Sequence, residues 1–141
     1  MVAKKLLIVT ALVETATGLM LLVSPTLVVA FLLGASLDAP AALVVARIAG
    51  AALLSLGCVC WLARNDVANR AVSGLVAALL LYNGVAVAVL ATAGAGARLV
   101  GVLTWPAVAA HAALAAWCIA CLLKSADSRP MYPPPSSGGS P

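Results

Sequence analysis

Residues 41–64, AALVVARIAGAALLSLGCVCWLAR, run 23 mostly apolar positions up to Arg64 with a single charge, Arg47, among them. Coiled into a helix rising about 1.5 Å per residue, such a run reaches about 34 Å, enough to cross a hydrocarbon core about 30 Å thick. Arg47 then falls inside the membrane or at its outer shoulder, where a guanidinium needs a partner or a route to water. Glu14 is the other residue of fixed charge within a hydrophobic run, and it is the expected partner.

Three further runs, residues 6–23, 71–93 and 99–123, repeat the pattern. With 65% hydrophobic residues, 9% charged ones and a mean hydropathy of +1.17 over 141 residues, the chain carries more apolar surface than a soluble domain of this size can bury. What lies between the runs is too short for a globular unit. The turns RNDVANR and GAGAR are compact, and short connections make sequence neighbours antiparallel. The expected fold class is therefore all-α: an integral membrane four-helix antiparallel bundle within residues 1–124. The net charge of +4 could suggest nucleic acid, but the placement of the charges argues against it. Lys4, Lys5, Arg64, Arg70, Lys124 and Arg129 fall on one side of a four-span serpentine, leaving Asp38 and Arg98 on the other. By the positive-inside rule both termini are cytoplasmic, and the partner of this surface is a lipid bilayer.

The first run begins like a secretory signal, but Glu14 would occupy the −3 position of a cleavage after Ala16, where a small neutral residue is wanted, so an uncleaved first helix is expected. Ser24-Pro25-Thr26 should interrupt it, because proline lacks a backbone donor and biases the residue before it away from helix. A short helix over residues 26–33, too short to cross, should then lie along the outer face before Gly34. In the fourth run, Trp105-Pro106 should kink the outer third of the helix. Trp61 sits where an aromatic ring anchors a helix at the cytoplasmic boundary. Residues 125–141, SADSRPMYPPPSSGGSP, have the composition of a disordered cytoplasmic tail.

Each run holds one strongly polar residue: Glu14, Arg47, Asn83 and His111. Intramembrane ionisable groups face a bundle interior by default, so these four are the candidate buried polar layer. Thr10, Ala11, Thr17 and Gly18 share the face of Glu14, while Gly50, Ala51, Leu54 and Cys58 share that of Arg47; such small residues let helices approach closely. Thr10, Thr17, Cys58 and Cys118 are the supporting candidates. Glu14 and Arg47 differ in depth by about 12 Å on helical rise, a gap that tilt or the bend at Ser24 must close. Three readings stay open: the layer glues the helices together, it forms a ligand or proton-handling pocket, or Arg47 snorkels outward to water or Asp38. No residue is assigned as catalytic. A single histidine excludes bis-His haem ligation within one chain, and no cluster has metal-ligand spacing. Cys58, Cys60, Cys118 and Cys121 lie toward the cytoplasmic ends of their runs, the reducing side. Packing as small apolar groups is expected of them, against a redox reading in which Cys58 faces Cys118.

Gly18 in the first span, Ser24-Pro25 followed by an apolar segment ending in Leu33-Gly34, and Arg47, Gly50 and Gly57 in the second span resemble the DoxX-like group of small four-helix bacterial membrane proteins. The resemblance covers about residues 5–123 and implies the fold and a bacterial inner-membrane location. Named members of that group are linked to quinone-dependent sulfur oxidation as membrane subunits. The preferred functional reading is a non-enzymatic accessory subunit or module of unknown ligand, without a cofactor, partnered by other membrane subunits or by copies of itself. The alternative is a quinone-linked or proton-coupled oxidoreductase subunit, with Glu14 and His111 handling protons and Arg47 anchoring an anion or carbonyl.

Overall fold

The computed structural model describes residues 2–67 and 69–127. They form five helices and, among the described residues, no strand: α1 Val2–Val23, α2 Pro25–Leu33, α3 Pro40–Ala63, α4 Arg70–Ala95 and α5 Thr104–Asp127. All but α2 are long and apolar enough to cross a membrane. The tail expected to be disordered lies outside the described residues beyond Asp127, while its first three residues continue α5.

The helix boundaries follow from local chemistry. Ser24 leaves the helical region with φ −138° and ψ 63°, and Pro25 opens α2 at a position where a missing amide costs nothing. Gly34 closes α2 in the left-handed conformation with φ 64°, its N–H donating to Ala30 O at 2.9 Å. Pro40 opens α3 in the same way. Asn69 caps α4, its side-chain oxygen accepting from the Ala71 N–H at 2.9 Å while its amide donates to Asp66 at 3.1 Å. At the end of α3 the Arg64 guanidinium lies 3.9 Å from the centre of the Trp61 ring, a cation–π stack.

The fourth run departs from expectation at its start. α5 begins at Thr104, so Trp105-Pro106 stand in its first turn and kink nothing; a proline there removes an amide that would lack an intrahelical partner anyway. Residues 99–103 instead complete a loop in which Arg98 adopts φ 53°. That loop fastens onto α2. The Leu103 N–H donates to Phe31 O at 2.9 Å, and the Thr104 hydroxyl accepts from the Gly101 N–H at 2.9 Å and donates to Leu32 O. The last carbonyls of α2, which no helical donor can reach, are thus satisfied by the start of α5.

Packing divides the long helices into two pairs, α1 with α3 and α4 with α5, which meet mainly along α1 and α5. In the first pair the backbones touch. A Cβ on Gly18 would stand 2.7 Å from Gly50 O and from Leu54 N, one on Gly50 would stand 2.8 Å from Gly18 O, and one on Gly57 would run into Thr15. These contacts order α1 and α3 antiparallel, residue 18 against 50–54 and residues 11–15 against 57. The apolar core gathers at the end that holds the start of α1 and the α3–α4 turn: Leu6, Leu7, Ala11, Cys60, Val72, Val76, Leu79, Leu114, Cys118 and Cys121. At the α2 end the pairs are joined through α2 and the start of α5.

Candidate functional site

Between these ends, three helices bring their polar side chains together. Tyr82 and Asn83 are consecutive on α4 and so point about 100° apart, one toward α1 and the other toward α5. The Tyr82 hydroxyl donates to Glu14 Oε2 at 3.3 Å, long for such a bond. Asn83, fully buried, donates from Nδ2 to Leu79 O at 2.8 Å and faces His111 Nδ1 with Oδ1 at 2.8 Å. The Tyr82 and His111 rings close the group edge to face, with centroids 5.7 Å apart. Glu14 is 1% exposed, and its Oε1, like the buried Thr10 Oγ1, has no hydrogen-bond partner among the described residues. Thr10 and Glu14 are four apart on one face of α1.

Glu14, Asn83 and His111 therefore share one cluster, and Arg47 does not belong to it. Arg47 is exposed, and the expected Glu14–Arg47 pair does not form: the side chain that reaches Glu14 is Tyr82. The physical reason is the glycine register of α1 on α3. It sets Glu14 level with residues 54–57, and Arg47 stands at least seven residues away, about 10 Å along the axis. Close backbone packing fixes that offset before a charge can adjust it. Tyr82, which composition and spacing did not single out, takes the place opposite Glu14. The available signal was its depth, since tyrosines in spanning helices gather at the two interfaces whereas Tyr82 is the thirteenth residue of the 26-residue α4.

The supporting residues divide. Thr10 is buried beside Glu14, and Thr17 lines a cavity described below. Cys118 is buried in the apolar core with Cys60 and Cys121, whereas Cys58 is exposed, so Cys58 and Cys118 do not face one another. All four thiols are free. Among the described residues no three His, Cys, Asp or Glu side chains gather as a metal site would require.

Above the cluster, toward α2, opens a cavity of about 510 Å³, within the range of small-molecule sites. Thr17 and Met20 of α1, Phe31 of α2, Leu90 of α4, and Ala107 and His111 of α5 contribute to its wall. Only Thr17 and His111 among its lining residues are polar. Its wall is shared among α1, α2, α4 and α5, and His111 joins it to the polar cluster.

No family model, curated protein or solved structure matches this chain.

Proposed function

We propose that the chain is a small multi-pass integral membrane protein, a four-helix antiparallel bundle that holds a small apolar molecule in the cavity between its two helix pairs without transforming it. The observation that carries this reading is the cavity itself, an apolar space with one imidazole at its polar edge. The outer surface supports the membrane setting. Val44, Val45, Ile48, Leu62, Leu81 and Val89 all point outward, and helices apolar on every side belong in lipid. The exposed Ser55 and Thr92 hydroxyls donate to Ala51 O and Ala88 O of their own helices, at 2.9 Å and 2.8 Å, as hydrocarbon demands of a polar group. The cluster of Glu14, Tyr82, Asn83 and His111 joins the two pairs, and its His111 lines the cavity.

The same proposal places α2 along the outer face and both termini in the cytoplasm of a bacterial inner membrane. Alkaline phosphatase inserted near Asp38 should be active and the same enzyme fused after Ser125 inactive; the reverse pattern would invert the topology. Affiliation with the DoxX-like group belongs to this proposal, supported by Gly18, Gly50 and Gly57, which carry both the resemblance and the α1–α3 contact. The quinone-linked alternative would use the same cavity, but its intended anchor, Arg47, is not part of the cavity lining.

The binding reading is tested with phenylcyclohexane as probe. It should raise the unfolding temperature of the purified protein in detergent, because a ligand that binds only the folded state stabilises it. It should leave the midpoint of Ala107→Trp, whose indole would fill the cavity, unmoved. An equal response of both proteins, or none in either, would remove the reading.

A further inference from the structure

The proposed cavity has a directional polar edge, and the direction follows from one amide. Asn83 Nδ2 donates to Leu79 O at 2.8 Å, so Oδ1, which can only accept, is the atom that meets His111 Nδ1 at 2.8 Å. An imidazole carrying one proton must place it on Nδ1 to make that bond. Nε2 then presents a lone pair and no hydrogen, and His111 lines the cavity. Thr17, the other polar residue of the wall, has a hydroxyl that can donate or accept and so does not discriminate between ligand types. The remaining lining is hydrocarbon, apart from the Met20 thioether.

Resting on the cavity reading, we infer that the site selects an apolar molecule bearing a hydroxyl donor, an alcohol or phenol on a hydrocarbon body, whose O–H donates to His111 Nε2. A ketone or ether of the same shape would set its oxygen lone pairs against that of Nε2. A plain hydrocarbon or acyl chain would fill the space and leave Nε2 without a partner. The fixed Asn83 amide thus acts as the selectivity device, although it does not line the cavity.

The chain has a single histidine, so ¹⁵N-histidine labelling gives the signals of this imidazole alone. In the full-length protein in detergent they should show Nδ1 protonated and Nε2 bare. Three probes of nearly one shape separate the cases: 4-cyclohexylphenol donates, its methyl ether only accepts, and phenylcyclohexane does neither. At equal mole fraction in the micelle, the phenol should bind about tenfold more tightly than the ether, the yield of one net hydrogen bond, and should move the Nε2 signal. The preference should survive Thr17→Val. It should vanish in His111→Phe, where the phenol and ether affinities are each read against that of phenylcyclohexane for the same variant. Asn83→Leu, which frees the tautomer, should lose the preference while keeping the histidine. An Nε2–H tautomer or an imidazolium in the resting protein would overturn the inference. So would equal affinity for all three probes with Nε2 unmoved, a result that leaves the cavity reading intact, whereas failure of every probe to bind removes both.

Discussion

α1 is held on two sides by opposite means. Against α3 it packs backbone to backbone through Gly18, Gly50 and Gly57, with no room for a single added carbon. Toward α4 and α5 it relies on Leu6, Leu7 and Ala11 at one end and on the long Glu14–Tyr82 bond midway, and beyond that it withdraws to leave about 510 Å³ open. Lipid offers apolar side chains the same surroundings as a protein core, so helices in it associate through close packing and polar contacts. The first interface uses close packing alone and is closed. The second uses both, each over part of its length, and the unused part is the cavity.

The contrast can be broken most severely at the closed side. Gly50→Leu would drive a side chain into the α1 backbone, where neither partner is a flexible side-chain tip, and should cost more than about 3 kcal/mol, the upper end for an overpacked interior. Unfolding in detergent would measure it, and near-native stability would mean that α1 and α3 are not this close. Asn83→Leu strikes the open side. It removes the bond to His111, and interhelical hydrogen bonds within membranes contribute only about 0.6–2 kcal/mol, so the variant should remain folded with stability lowered by about 1 kcal/mol. A loss as large as that of Gly50→Leu would make the polar cluster the main fastening. The smallest effect belongs to the cysteines. Cys60 and Cys118 are buried and Cys58 is exposed, so a maleimide applied to the folded protein should react at Cys58 first. Cys58→Ser should leave stability unchanged within about 0.5 kcal/mol, as surface substitutions usually do.

Much of this architecture could be read from the residue pattern. Hydrophobic length identified four helices able to cross a membrane, and proline chemistry located the break at Ser24. Two errors share one cause, which is that hydropathy counts residues without their backbone geometry. It counted residues 99–103 into a helix, although Gly101 lies so close to Phe31 that a side chain would not fit there, and it therefore turned Pro106 from a helix opener into a kink. Charge complementarity paired Glu14 with Arg47, although the register was already set by three glycines that carry no charge. The cavity was not legible at all. Its wall draws on α1, α2, α4 and α5 together, a tertiary outcome that no single run encodes.

The fastening of α2 to the start of α5, through Leu103 and Thr104, has a mechanical consequence. It ties the two helix pairs at one end, as the leucine and cysteine core ties them at the other, so they resemble two slats clamped top and bottom. Such a frame cannot gape like jaws without breaking a clamp. Between the upper clamp and the mid-helix polar cluster the pairs are not tied to one another among the described residues, so any widening of the cavity is confined to that stretch, with α2 remaining in place above it.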